Sequence, residues 1–310
     1  MQLLRTMPDR PPSPSPRSGC LWRAEQILTL SGATWREGLR RRLVLAGIVL
    51  AAAFLLLYGL GVFFIFRSLG PDAVGEGPGV QDFRPLVAYQ LLSFGIFITG
   101  FLGAMVIVFS ASSVITGDAE SGLLQTIVVR PVSRAQVLAG RSLGFFGLYV
   151  VYIVTVVSGL ILLTSVFAGF TAPSPLEAGV FLALQGLVIL ALTVLASTAL
   201  SPVATGVVAL MAYGLSFIGG VVELIGRLAQ SGSAETVGRV AGYLLPSDRL
   251  FRMALNGLAP TNEGPASGPE TLFGPFGTPL VPDVVGIVYP LVYVLVCFVA
   301  AGLIFARKDL

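Results

Sequence analysis

Residues 112–141 read SSVITGDAESGLLQTIVVRPVSRAQVLAGR and separate two long apolar runs of the chain. The stretch holds two acids, three arginines and a proline. An acid or an arginine at the centre of a bilayer costs about 2.5–3.5 kcal/mol on insertion scales. The stretch is therefore expected to be a water-facing connection between two membrane helices.

The order of residues within this connection predicts a short helix followed by a turn. Two acids, Asp118 and Glu120, precede Gly122. The apolar positions that follow at helical spacing are Leu123, Leu124, Ile127 and Val128. Pro131 ends that run, because proline donates no backbone hydrogen bond and restricts the residue before it. Ser133 is expected to cap the next helix, and the short helix has a shape suited to docking against a partner.

Composition places the rest of the chain in a membrane. Of its 310 residues, 55% are hydrophobic and 11% are charged, and the mean hydropathy is +0.88. A soluble domain carries about a quarter charged residues. The net charge of +3 follows from the placement of arginines in loops, so no nucleic-acid partner is expected.

The residue sets that catalysis, metal binding and nucleotide binding require are missing from the sequence. It has no histidine, and its two cysteines, Cys20 and Cys297, form no C-x-x-C pair. Neither a disulfide framework nor a zinc site is supported by that pattern. No G-x-x-x-x-G-K-[ST] motif occurs, so no P-loop can hold nucleotide phosphates. We therefore expect no enzymatic activity and no cofactor on this chain.

Two N-terminal segments precede the apolar runs. Residues 1–20 are rich in proline and serine and are expected to be disordered. Residues 21–42 are amphipathic and contain both tryptophans, Trp22 and Trp35. That pattern predicts an interfacial elbow helix whose aromatic rings lie at headgroup depth.

Six apolar runs are each long enough to cross a hydrocarbon core of about 30 Å, which takes about 20 helical residues. They lie near residues 43–66, 86–111, 137–167, 178–200, 203–225 and 284–306. The sequence thus predicts an all-α integral membrane protein with six transmembrane helices. The connection at Ser201-Pro202 is so short that it predicts a tight hairpin between the fourth and fifth spans.

The placement of arginines predicts the orientation. With both termini in the cytoplasm, 13 basic residues lie inside and six lie outside, as the positive-inside rule favours. Residues 112–136 then face the cytoplasm, and residues 226–283 form a long external loop.

The first half of the external loop has helical spacing that breaks at Pro246, so short helices are expected there. Ser247 or Asp248 is expected to cap the second of them. Residues 257–282 are rich in glycine and proline and are expected to be irregular. The loop is interpreted either as an outer gate or a platform for an external partner, or as a lid over the helix ends. The candidate gate residues are Pro246, Asp248, Arg249 and Arg252.

Charged residues are scarce within the predicted spans. Glu177 and Glu223 are placed at span ends, where side chains snorkel easily. An ion-coupled transporter carries intramembrane acids or broken helices at its midplane. Neither is expected in these spans, so the energy is expected to come from a separate ATPase. The small-residue pairs in the spans are Gly100 with Ala104 and Ser216 with Gly220. Such pairs permit close helix approach, either within the chain or across a dimer.

Residues 118–141 resemble the cytoplasmic loop of type-2 ABC transporter permeases. The loop of that family has an acid pair, a glycine, a few apolar residues, Pro-(Val/Ile)-Ser-Arg and then Gly-Lys. Here Asp118 stands where many members have Glu, and Arg141 stands where many have Lys. The segment at residues 244–255 is similar to that of the permeases associated with nitrous oxide reductase maturation.

This resemblance implies the membrane-spanning permease subunit of an ABC transporter, expected to be an exporter in the cell (inner) membrane. It implies two protein partners in the lipid bilayer. One is an ATP-binding cassette ATPase that carries ATP and magnesium, and the other is a second permease copy in a homodimer or heterodimer. The residues that it assigns to ATPase coupling are Asp118, Glu120, Gly122, Leu123, Leu124, Ile127, Arg130, Pro131, Arg134 and Arg141.

Three other interpretations remain open. Residues 112–136 can be a solvated loop without a partner. The protein can be a non-transporting membrane scaffold or assembly factor, or an ion-coupled secondary carrier or channel.

Overall fold

The computed structural model describes residues 29, 31–32, 34–35, 42–68, 84–112, 134–260 and 279–307. Within these ranges the backbone forms helices joined by turns, and no β-strand occurs. The helices with described bounds are α1 (Arg42–Ser68), α2 (Arg84–Ala111), α3 (Arg134–Ala168), α4 (Pro175–Ser197), α5 (Pro202–Leu228), α6 (Gly232–Leu244), α7 (Ser247–Leu258) and α8 (Val284–Arg307).

Six of these helices, all except α6 and α7, are long and apolar enough to cross a membrane. The prediction of an all-α protein with six spans and short helices in the last long loop is confirmed. Four predicted features lie wholly or largely outside the described residues: the tail at 1–20, the elbow helix at 21–42, the connection at 112–136 and the irregular segment at 257–282, of which residues 257 and 258 belong to α7.

The bounds of the fourth and fifth spans differ from the predicted ones by about three residues. α4 begins at Pro175, and α5 begins at Pro202. Proline suits the first helical turn because its missing N–H has no partner there in any case. The turn between the two helices starts where the Thr198 amide donates to the carbonyl of Leu195 at 3.1 Å.

α4 lies at the centre of the bundle and packs against α2, α3, α5, α7 and α8. In the most apolar stretch of each helix, 61% of the residues of α4 and 56% of those of α2 are buried, against 22–28% in α1, α3, α5 and α8. Large apolar side chains on the outer helices, such as Leu56 and Leu162, are exposed. These outer faces therefore suit lipid or a second chain.

The centre of the bundle is built around Tyr149 of α3. Its hydroxyl donates to the carbonyl of Leu182 in α4 at 3.2 Å. A Cβ atom at Gly186 would lie 1.9 Å from the Tyr149 ring, and one at Gly103 of α2 would lie 2.8 Å from it. Only glycine leaves room for the ring at these positions.

Both small-residue pairs lie at contacts within the chain. In α2, Gly100 faces the polar atoms of Gln185 and Tyr213. In α5, Ser216 bonds to the backbone of residue 245, and a Cβ atom at Gly220 would lie 2.2 Å from Asp248. The described contacts thus favour the intramolecular interpretation of these pairs.

Candidate functional site

The segment after α5 does not lie across the helix ends but turns back along the bundle. α6 runs antiparallel to α5. The residues that face each other are Gly219 with Ala241, Glu223 with Gly238, and Gly226 with Glu235. A Cβ atom at Gly238 would lie 2.4 Å from the backbone nitrogen of Glu223. The glycines therefore allow the two backbones to meet.

Residues 245–248, which comprise the turn between α6 and α7 and the first two residues of α7, are hydrogen-bonded to two membrane helices. The Ser216 hydroxyl donates to the carbonyl of Leu245 at 2.6 Å and accepts from the amide of Asp248 at 3.2 Å. The Gln185 side-chain amide donates to the carbonyl of Ser247 at 3.2 Å. We call residues 245–248 the tip, and its buried backbone groups are satisfied by side chains of α4 and α5.

These partners place the tip near the middle of the spans. Ser216 lies about twelve residues before the end of α5 at Leu228, or about 18 Å at 1.5 Å per residue. Gln185 lies about ten residues after the start of α4 at Pro175, or about 15 Å. Because a hydrocarbon core is about 30 Å thick, the tip reaches about half-way through it. We call residues 232–258 the re-entrant hairpin.

The second arm of the hairpin, α7, returns towards the start of α4 and is almost wholly buried. Its apolar residues, including Leu250 and Met253, are inaccessible to solvent. At its far end, the Ser174 amide donates to the carbonyl of Gly257 at 2.8 Å. The arm is thus held at both ends against α4.

Three charged side chains join α7 to α5. The Arg252 guanidinium lies 3.3 Å from a carboxylate oxygen of Glu223 and 3.6 Å from one of Asp248. Arg252 and Asp248 are only 3% and 6% exposed, so water solvates neither charge. Glu223 also pairs with Arg227 one turn further along α5. The arginine therefore stabilises two carboxylates that would otherwise be costly to bury.

Arg249 lies on a different side of α7 and meets aromatic rings. Its guanidinium is 5.7 Å from the centroid of the Tyr243 ring at the end of α6. Tyr243 in turn packs edge-to-face with Tyr289 of α8, at 5.9 Å between centroids. The Tyr289 hydroxyl donates to the backbone carbonyl of Tyr243. This contact joins the re-entrant hairpin to the last span.

The family model described as "ABC-2 family transporter protein" matches residues 28–310. The chain belongs to the ABC-2 transporter family. It is a multi-pass membrane protein and the membrane permease subunit of an ABC transporter. A search of curated proteins finds no match to this ABC-2 permease.

The four candidate gate residues of the permease all lie at the tip or in α7. The structure brings Asp248 and Arg252 together in the charged cluster, whereas Arg249 stands apart beside Tyr243. Pro246 is buried at the N-cap position of α7. The prediction that Ser247 or Asp248 caps this helix is wrong, since no side-chain cap bond forms and the Asp248 carboxylate turns to Arg252 instead.

The sequence interpretation missed three partners of the hairpin in α4 and α5: Gln185, Ser216 and Glu223. Glu223 does not snorkel from a span end, because α5 continues to Leu228 and the carboxylate meets Arg252. The expectation that acids and broken helices are absent at membrane depth is also wrong. The sequence signals for this cluster were the gate candidates Asp248 and Arg252 and an acid, Glu223, two residues before the end of a predicted span.

Most of the candidate coupling residues of the permease lie outside the described residues. These are Asp118, Glu120, Gly122, Leu123, Leu124, Ile127, Arg130 and Pro131. Arg134 is the first residue of α3, and Arg141 lies two turns further along it. The role assigned to these ten residues stays a prediction.

Proposed function

We propose that this permease forms, with a second copy or a related subunit, the translocation pathway of an ABC exporter. A separate ATPase, with its ATP and magnesium, binds residues 112–136 at the cytoplasmic face and supplies the energy. The observation that carries the proposal is the family match over residues 28–310. The absence of a P-loop motif from the sequence supports a separate ATPase.

In this proposal α2 transmits movement from the ATPase to the re-entrant hairpin. α2 ends immediately before the connection at 112–136, and it reaches the hairpin through Phe97. The Phe97 ring lies 4.6 Å from that of Phe217 in α5 and 6.0 Å from that of Phe251 in α7. A displacement of α2 would therefore press on both the fifth span and the hairpin.

The hairpin is the gate of the pathway in this mechanism. Its tip is held at half-depth by Gln185 and Ser216, and its α7 arm is held by Arg252. These are a few polar contacts in an apolar surrounding, so a small relative movement of α4 and α5 would break several of them together. Closing and opening of the hairpin would then alternate with ATP binding and hydrolysis.

The coupling assignment is tested first by whether a reading frame beside the permease gene encodes a Walker-type ATPase, and then by co-expressing that ATPase with the permease. We expect the double variant Glu120→Ala/Arg134→Ala to lose co-purification of this ATPase and permease-dependent ATP hydrolysis. Arg141→Lys, which keeps the charge, is the control and is expected to retain both. Unchanged assembly and hydrolysis in the double variant would count against residues 112–136 as the docking site.

The charged cluster also favours a second candidate, an ion-coupled secondary carrier, because carriers hold ionisable groups at membrane depth. Vesicles that contain the permease alone distinguish the two. A carrier predicts proton flux that is lost in Asp248→Asn, whereas the ABC exporter predicts none without the ATPase. The similarity to permeases of nitrous oxide reductase maturation stays a prediction, which the identity of the neighbouring genes tests.

A further inference from the structure

The charges of α5, α6 and α7 do not balance. Residues 202–260 contain four arginines and three acids. The ion pairs are Arg227 with Glu223, Arg239 with Glu235, and Arg252 with both Glu223 and Asp248. Arg249 is the fourth arginine, and no carboxylate of the described residues pairs with it. The excess positive charge of this region is therefore located at Arg249.

Arg249 lies at a depth in the membrane where an unpaired positive charge is costly. Arg249 immediately follows the tip, which lies about half-way through the hydrocarbon core, and its side chain is partly exposed. A guanidinium stays protonated in proteins. Ionisable groups at membrane depth pair with another group or face a water-filled cavity. Because no carboxylate among the described residues pairs with Arg249, a bound anion would supply its partner.

Arg249 lies over one aromatic ring, which packs in turn against a second ring from another helix. Tyr243 of α6 lies under its guanidinium at 5.7 Å, and Tyr289 of α8 packs against Tyr243. Cation–π contact holds the guanidinium plane against the ring and leaves its edge nitrogens available to an acceptor. Residues of α6, α7 and α8 thus form one chain of contacts that ends at the guanidinium.

The helices that carry these tyrosines expose apolar faces. The exposed residues are Val237, Val240 and Leu244 on α6 and Val285, Val288 and Val292 on α8. Each set has i, i+3, i+7 spacing, so each forms one stripe along its helix. A cation bordered by apolar stripes matches a molecule with an anionic head and an apolar chain.

We propose that Arg249, Tyr243 and Tyr289 bind the anionic headgroup of a membrane amphiphile whose apolar chain lies along the exposed stripes of α6 and α8. The planar guanidinium can donate two parallel hydrogen bonds to a phosphate or carboxylate. The inference rests on the proposed function in one respect, since it makes such anionic amphiphiles the substrate class of the exporter.

The site is tested with the full-length permease, purified in a neutral detergent and titrated with phosphatidylglycerol, with bound lipid counted by native mass spectrometry. Arg249→Gln is expected to weaken phosphatidylglycerol binding by about tenfold or more, with phosphatidylcholine binding unchanged. Arg249→Lys keeps the charge and is expected to lose less. The matched control, Arg239→Gln, removes an ion-paired arginine of α6 and is expected to bind like the wild type.

Three results would overturn the inference. The first is that Arg249→Gln binds phosphatidylglycerol as tightly as the wild type does, and the second is that Arg239→Gln loses as much phosphatidylglycerol binding as Arg249→Gln. The third comes from competition against phosphatidylglycerol, if inorganic phosphate displaces the lipid as strongly as the anionic amphiphile oleate does. The last result would indicate a site for soluble anions. If Arg249→Gln is not monodisperse, Tyr243→Leu keeps the charge and is expected to weaken binding about threefold, and no change in it would also overturn the inference.

The same variants separate this inference from the proposed function. ATPase co-purification that persists in Arg249→Gln while phosphatidylglycerol binding falls supports the lipid site and leaves the ATPase coupling intact. Conversely, phosphatidylglycerol binding that persists in the Glu120→Ala/Arg134→Ala variant after the ATPase is lost supports a lipid site that does not depend on coupling.

Discussion

Arg252 pairs with two carboxylates at once, the buried one of Asp248 and the partly exposed one of Glu223. Removing one member of a buried ion pair leaves an uncompensated charge and costs about 3–5 kcal/mol. We expect Arg252→Met to lower the free energy of unfolding by about that amount. The measurement is denaturant unfolding of the purified permease in detergent.

The control for this prediction is Arg239→Met. Arg239 forms an i,i+4 pair with Glu235 on the exposed face of α6, with about half of the arginine side chain exposed. Such surface pairs contribute about 0–1 kcal/mol. Equal losses of stability in the Arg252 and Arg239 variants would show that the buried cluster contributes no more to the free energy of unfolding than an exposed ion pair does.

Gly186 tests the packing around Tyr149. A Cβ atom there would lie 1.9 Å from the Tyr149 ring, whereas one at Gly179 of the same helix would meet nothing within 4 Å. Overpacking of a filled core costs about 1–3 kcal/mol, so Gly186→Ala is expected to lower the unfolding temperature. Gly179→Ala is expected to preserve or raise it, because alanine favours a helix by about 1 kcal/mol. A drop of the same size in both variants would contradict this account.

At the scale of elements, the hairpin depends on the close contact of α6 with α5. A Cβ atom at Gly238 would meet the backbone of α5 at 2.4 Å, and backbone cannot move aside as a flexible side chain can. We expect Gly238→Ala to push α6 away from α5 and to expose the tip. The measurement is maleimide labelling of Leu245→Cys, a buried tip position, with Cys20 and Cys297 replaced by serine.

Gly242→Ala is the matched control, because a Cβ atom at this position of α6 meets nothing within 4 Å. It is expected to leave the cysteine at position 245 as unreactive as it is in the same protein without a change in α6. Fast labelling of Leu245→Cys without any further change would mean that the tip is not packed between α4 and α5.

The second prediction at this scale concerns α2 as the link between ATPase and hairpin. Phe97→Ala removes the ring that contacts Phe217 and Phe251. We expect normal co-purification of the ATPase but a clear loss of permease-dependent ATP hydrolysis. Phe94→Ala, on an exposed position of the same helix, is the control. Loss of hydrolysis in both variants would indicate damage to α2 rather than an interrupted link.

At the scale of the whole molecule, the proposal requires residues 112–136 on the cytoplasmic face. Single cysteines at Ser121 and at Thr271 test this in a cysteine-free background. A membrane-impermeant maleimide is expected to label position 271 in intact cells and position 121 only after permeabilisation. The reverse pattern would exclude coupling to a cytosolic ATPase.

Much of the architecture could be predicted from local properties of the chain. The number of spans follows from the length of each apolar run, because crossing a hydrocarbon core sets a minimum helix length. The break between α6 and α7 follows from Pro246, because proline interrupts a helix wherever it occurs. These features need no knowledge of neighbouring elements.

The candidate site could be predicted only in part. Pro246, Asp248, Arg249 and Arg252 were singled out from their segment, and all lie at the tip or in α7. Their partners were missed because the contacts are distant in sequence. Ser216 meets residue 245 across 29 positions, and Gln185 meets residue 247 across 62.

The sequence by itself determined that this protein is a six-span helical membrane protein with a polar segment between its last two spans. Only the tertiary structure decided that this segment enters the bundle instead of covering it. The physical reason is that polar residues avoid hydrocarbon unless partners satisfy them. Those partners, Gln185, Ser216 and Glu223, belong to other helices, and only folding brings them to the hairpin.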